Sequence, residues 1–549
     1  MKKIILFGFT LLFFVHCASI KKHNKHLNDL ITEEKLKSDV DFTYRKLRDL
    51  HPNLYWYISK KDLDYKFDSL KSTITIPMTR FNFYKKLSPV VAAVRQGHIT
   101  VYPPTKLMTK KETKALLKRG TGPFSQFDFE LFDGKLYVVK NKSYDKTIKT
   151  GTEVIAVNGT KPINLIKQYN KFYSSDGYNT TFKTHFSGKR FSTFFTNENG
   201  IKDSLNFDFK CNDSLKTITI RRKAEDTIGK HLKKNQKKLA AIDKTKSKAN
   251  RKKKRVNGYY SVEKNYNRNL RFLEKDSSIA VIKIRSFKIG DYKTFYKESF
   301  SKIAGYQSKT LVLDLRNNGG GRVTEIAYLY SYLADSTFVF LDKSEVVSKS
   351  SLFKGAYFNG GSFGFKALKT IFSPIMYSYL LLTVHKNQNG KNYYATQTTP
   401  HKVSKNAFKG KIYVLINGGS FSASSIISSN LKGSKRAFFV GEETGGAYNG
   451  TIAGFMPRVK LPNTDIKIRI GLMFIAPHFK TATEGRGIFP DIEIIPTLED
   501  RIKENDPEMN WILNDVKSNI SEISKKNNLI KNLTAIILFI ILPEKRFNQ

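Results

Sequence analysis

Residues 411–431 read KIYVLINGGSFSASSIISSNL, and this stretch forces two kinds of backbone to meet at one sharp point. Ile412 to Ile416 is a continuous apolar run of strand length, the pattern of a buried strand. Asn417-Gly418-Gly419 breaks it. A cluster of small hydroxyl residues, Ser420-Phe421-Ser422-Ala423-Ser424-Ser425, then leads into an apolar helical segment, Ile426 to Leu431. Strand, tight turn, serine and helix in that order expose a side chain at a helix N-terminus, where free backbone N–H groups can receive an oxyanion. The same serines also suit plain helix capping, and this segment alone leaves both readings open.

The sequence around it predicts an α/β domain. Ile279 to Ile284 and Leu311 to Arg316 read as strands, and Tyr292 to Ala304 and Val323 to Leu333 as helices between strands. That alternation favours a parallel sheet. We place the domain at 270–500, with an insertion at 335–409 that reads as a cap over a site. Residues 27–118 read as helices, because Leu36, Val40, Leu47 and Leu50 recur near helical spacing and a second pattern ends in SPVVAAV. Residues 120–222 read as short strands and turns, among them Leu136 to Val139 and Gly151 to Gly159. This piece loosely resembles a PDZ module, which binds extended peptides by adding a strand to a sheet edge. An ordinary small β domain is the alternative.

Charge narrows the function classes. The chain has 549 residues, with 95 Lys+Arg against 47 Asp+Glu and a formal charge of +48. Sixteen of the basic residues fall between Arg221 and Arg255, and residues 223–258 read as a solvated basic linker. No aromatic residues interleave that run, so nucleic acid is not the expected partner. Attraction to anionic envelope surfaces is. Residues 1–17 read as an export signal, with Lys2 and Lys3 ahead of an apolar stretch too short for a membrane span. Cys17 closes that stretch as in a lipoprotein signal, although His16 stands where a small residue is usual; lipid there would anchor the chain to a membrane surface. Cys211 is the one other cysteine, so no disulfide framework is expected. Residues 501–549 read as a tail whose apolar run, Thr534 to Leu542, is too short to span a bilayer. No His/Cys cluster has metal-ligand spacing, and no cofactor is implied.

Four motifs in order carry a family resemblance: LVLDLRNNGGG, then NGGSFSAS, then Val440 to Gly446, then Gly485 to Ile492. Together they resemble the C-terminal-processing (tail-specific) serine protease family over most of 277–495. The resemblance implies a crotonase/ClpP-like β-α catalytic domain joined to a PDZ-like domain and an N-terminal helical region. It implies Ser422 as nucleophile, with Ser420 and Ser424 capping and packing, and an oxyanion hole from the N–H groups of Ala423 and Gly320. One branch of the family uses a lysine as base; here Ala447 stands at that position. The tricorn-like branch takes a histidine from upstream and a glutamate near the last motif. Carried over, these are His98, in Gln96-Gly97-His98-Ile99-Thr100, and Glu484. That branch has a serine just before its histidine, where this chain has Gly97. An imidazole of ordinary pKa would make activity rise through about pH 6 to 7. The resemblance therefore implies an exported peptidase acting on polypeptides; a catalytically inactive binding protein on the same fold is the rival.

Overall fold

The computed structural model describes residues 20–211, 214–224, 244–261, 263–274, 277–354 and 363–519. A six-stranded sheet runs in the order Arg268–Leu273, Ile279–Ile284, Thr310–Asp314, Lys411–Ile416, Phe438–Gly441, Ile492–Glu493. The first strand is antiparallel to its neighbour and the others are parallel. This is the α/β class that the alternating pattern predicts. Every residue of Thr310–Asp314 is buried, as is every residue from Ile412 to Ile416. Both read as unbroken apolar runs because both faces of the sheet are covered. Helices Tyr292–Gly305, Val323–Tyr330 and Ala423–Gly433 cover one face. Met509, Ile512 and Val516, in the helical stretch 507–519, cover the other. Part of the expected tail thus belongs to the core; Thr534 to Leu542 lies outside the described residues. Leu311 pairs with Ile412 and Asp314 with Leu415. The carboxyl ends of the two central strands are therefore adjacent, and loops 315–322 and 417–422 leave them side by side. In parallel sheets that end is where ligands are received.

Leu36, Val40, Leu47 and Leu50, whose spacing predicts a helix, form the buried face of helix Glu33–Leu50. Helices Lys60–Ser72 and Arg80–Ala92 share its core. Each begins on a hydroxyl cap, Ser59 accepting from Asp62 N–H and Thr79 from Asn82 N–H. Asp39 lies on the same face, fully enclosed. Its carboxylate accepts from the N–H groups of Asn463 (3.1 Å) and Thr464 (2.8 Å), the Asn463 amide (2.9 Å) and the Thr464 hydroxyl (2.7 Å). Further along, strand Thr100–Tyr102 pairs antiparallel with Lys467–Arg469, which pairs with Arg458–Lys460. The N-terminal helices are therefore stitched to residues 458–469 at two places.

A second sheet, five antiparallel strands in sequence order, comprises Phe127–Phe132, Lys135–Asn141, Glu153–Val157, Ser204–Cys211 and Ser214–Arg221. Helices Pro162–Tyr169 and Thr181–Asn199 lie between its third and fourth strands in the chain. The basic run ends as helix Lys244–Asn257, anchored by buried Val256 and by Lys252 on Glu298 (2.7 Å); residues 225–243 lie outside the described set. Within 335–409, three short strands join Met473–Ile475 and Thr451–Ala453 in a further five-stranded sheet.

Candidate active site

Ser422 stands between the strand-end turn and the helix, with φ 58° and ψ −119°. A non-glycine residue holds such a backbone only where its surroundings enforce it. Three bonds do so. The Ser420 hydroxyl donates to Leu315 O (2.8 Å), Phe421 N–H to Asn318 O (3.0 Å) and the Ser424 hydroxyl to Asn318 O (2.7 Å). Both neighbouring serines thus tie the turn to the glycine loop. Between Gly418 and Leu431 only Ser422 is partly exposed. Gly320 packs against it so closely that a Cβ there would stand 2.8 Å from Ser422 Cβ and from Ala423 N; its φ of 89° suits glycine.

His98 Nε2 lies 3.0 Å from Ser422 Oγ. On its other side, Nδ1 lies 3.1 Å from Thr451 Oγ1, and the ring stacks on Phe421 at 4.9 Å between centroids. Three anchors hold the loop that carries it. Arg469 Nε donates to His98 O (2.9 Å) and Arg469 Nη2 to Thr100 Oγ1 (3.0 Å), a consequence of the Thr100–Arg469 strand register. Gly97 N–H donates to Asp176 Oδ1 (2.8 Å). A Cβ on Gly97 would stand 2.6 Å from the Phe421 ring, so glycine precedes this histidine for want of space.

The surroundings set two pKa values. Burial, with the positive charges of Arg469 and Lys288, holds His98 down at about 3. The imidazole is neutral at physiological pH, the form a base requires. Asp176 is fully buried, and burial raises its carboxyl to about 6. The Gly97 and Ala447 N–H groups and the Thr451 hydroxyl favour its charged form, yet Oδ2 closes no hydrogen bond.

Two expectations are corrected. Glu484 is exposed and accepts from the Asn449 amide (2.9 Å); the partner of His98 Nδ1 is Thr451, two residues beyond Asn449. Gly320 N–H donates to the Asn318 side chain (3.0 Å) and is not a free donor, because that amide braces the glycine loop from within. Ala423 N–H, at the start of the helix, has no partner among the described residues. Cys17 lies outside the described residues. Asp176 and Thr451 are new; in the sequence, Asp176 within Ser174-Ser175-Asp176-Gly177 has the look of an ordinary turn residue.

The remaining motif residues brace the site. Asp314 accepts from Arg316 and Lys283; burial alone would raise its carboxyl, but those two cations bring it to about 2. Glu443 takes Arg486 in a fork (3.0 and 2.7 Å) together with Gly487 N–H (2.7 Å), locking the third motif to the fourth. Glu442 accepts from Gly418 N–H (3.0 Å) ahead of the serine turn. Among the described residues, no group of three His, Cys, Asp or Glu is placed to hold a metal ion.

Residues 278–494 match the model of peptidase family S41. No curated protein matches the chain. Among solved structures, mature CPAF is 14% identical over 86% of this chain and 94% of that one, with a TM-score of 0.52. Mature CPAF complexed with lactacystin is 14% identical over 90% and 99%, with a TM-score of 0.55. At that identity the likeness is one of fold, and it extends well beyond the segment that carries Ser422. The matched segment, its four motifs and the fold agree: residues 278–494 carry a domain of the peptidase S41 kind, that of the C-terminal-processing serine peptidases.

Proposed function

We propose that this peptidase cleaves polypeptides in the cell envelope through an acyl-enzyme on Ser422, with His98 as general base. The observation that carries the reading is the 3.0 Å contact between His98 Nε2 and Ser422 Oγ, which is hydrogen-bond reach for proton transfer. Ser422 donates its proton to Nε2 as Oγ attacks the scissile carbonyl. The other ring proton, on Nδ1, is held by Thr451, and the buried Asp176 carboxylate stabilises the imidazolium that forms. Ala423 N–H receives the oxyanion, a donor worth roughly 3 kcal/mol in the transition state. His98 then returns the proton to the leaving amine, and water repeats the sequence to release the acyl group. Export and a lipid anchor on Cys17 follow from the charged and apolar start of the chain. The small antiparallel sheet offers Phe127–Phe132 as an edge strand against which a substrate chain end would pair.

A fluorophosphonate probe tests the chemistry. Wild type is expected to label, Ser422→Ala is not, and Ser420→Ala and Ser424→Ala are, more slowly because the turn loosens. His98→Ala is expected to lower peptide hydrolysis by ~10²-fold or more. A folded wild type that never labels would instead be an inactive binding protein on this fold.

A further inference from the structure

A cleft of about 1250 Å³ opens between the small antiparallel sheet and the strand-end loops of the central sheet. It begins beside Ser422. Gly319, which lines it, adjoins the glycine packed on Ser422, and a Cβ at Gly319 would meet nothing within 4 Å. Phe186, also in the lining, packs on Phe182, whose ring lies 4.8 Å from that of Phe421. Ser422 itself does not line the cleft, but a polypeptide held there and running past Gly319 would enter it.

Its charge is one-sided: seven Lys and Arg line it against two carboxylates, Asp128 and Glu263. The neighbouring cleft beyond Arg316 carries six of each, so the excess is local and not merely the basic character of the whole chain. Internal pairing removes three of the seven, since Lys142 meets Asp128, Lys283 meets Asp314, and Arg316 meets Asp314 and Asp506. Lys140, Lys189, Arg285 and Lys288 make no ion pair among the described residues. Lys189 hydrogen-bonds only to neutral groups, Asn317 (3.3 Å) and His185 (3.4 Å), and feels Glu130, Asp128 and Glu263 without forming an ion pair with any of them, while Arg285 gives one N–H to Tyr266 O (3.0 Å). Glu263 is exposed and bonded by the Asn265 amide (3.2 Å). Lys288 also lies near enough to His98 to disfavour its protonation.

We propose that this cleft receives an acidic stretch of the substrate, whose Asp and Glu side chains neutralise Lys140, Lys189, Arg285 and Lys288 while the scissile bond lies at Ser422. The proposal rests on the peptidase reading of Ser422. Its test uses fluorogenic peptides that share one cleavable core and carry four Glu or four Gln on either side in turn. The expected result is kcat/KM about tenfold higher for Glu on one side at low salt, converging with Gln as salt rises. The double variant Lys140→Glu/Lys189→Glu loses that preference, whereas Lys110→Glu, exposed and outside the cleft, keeps it. Fluorophosphonate labelling of each variant reports a folded site. Equal hydrolysis of both peptides by a wild type that labels overturns this proposal alone, as does a preference that survives in the double variant. Single-stranded RNA that blocks labelling of an undiscriminating wild type would make the cleft a nucleic-acid site and overturn the acidic-substrate proposal equally. A wild type that never labels fells the peptidase reading and this one with it.

Discussion

A side chain at position 97 has nowhere to go but into Phe421. Gly97→Ser therefore displaces the loop that presents His98, and the expected outcome is a fall in kcat of tenfold or more with the substrate KM little changed. Single-turnover acylation checks it; a rate within twofold of wild type would mean that the loop absorbs the clash elsewhere. Asp176→Asn keeps an acceptor for Gly97 N–H but removes the charge, so kcat should drop by about tenfold while the fold survives. The low pKa of His98 also changes the expected pH profile. A base works unprotonated, so His98 itself should not limit kcat/KM between about pH 8 and 5, and the fall expected near pH 6 is the partial, about tenfold one from protonation of Asp176; a complete loss with half-maximum near 6.5 would mean that the free imidazole is not held down. His98 and Ser422 were legible because glycine-flanked motifs frame them. Thr451 and Asp176 were not, since a threonine opening a short strand and an aspartate in a turn are what local backbone chemistry selects anyway.

Elements were legible where one periodicity ruled. The two central strands and helix Glu33–Leu50 declare themselves by unbroken burial and by a single apolar face. What joins the helices to the sheet domain was not, because it is polar: Asp39 satisfied by the 463–464 turn, and a three-residue strand pairing with Lys467–Arg469. A carboxylate on a helix reads as solvent-facing until a partner more than four hundred residues away is known. Asp39→Ala leaves the Asn463 and Thr464 donors unpaired in a buried place, at a cost of about 3 kcal/mol. Thermal unfolding should shift down accordingly, and activity well below the transition should fall as well, because the same interface places His98. Deeper in, Arg268 and Glu325 form a fully buried pair joined by Tyr296 and Arg322. Arg268→Ala would strand the Glu325 charge and cost roughly 3–5 kcal/mol, read as a lower denaturant midpoint.

Across the molecule, three histidines titrate far from their ordinary range, His51 and His98 buried and His185 half-buried. Burial holds His51, His98 and His185 at about 3. Their folded pKa lies below the unfolded value, so the stability they contribute is complete above pH 6.5 and is lost as pH falls toward 3, by up to ~1.4 kcal/mol per pH unit each. Asp176, raised to about 6, acts oppositely between pH 6 and about 4, and offsets one of the three. Denaturant titrations at pH 7.5, 6 and 5 should give steadily lower stability, with a shallower decline in His51→Phe. Equal stability at all three would refute the assignment.

The contact between His98 and Ser422 spans 324 positions of the chain, and the strand that braces His98 comes later still, at 467–469. A ribosome makes His98 first, Ser422 much later and the brace after that. If the two act as proposed, a nascent chain has no working centre until residue 469 has emerged, so the order of synthesis itself keeps it inert up to that point.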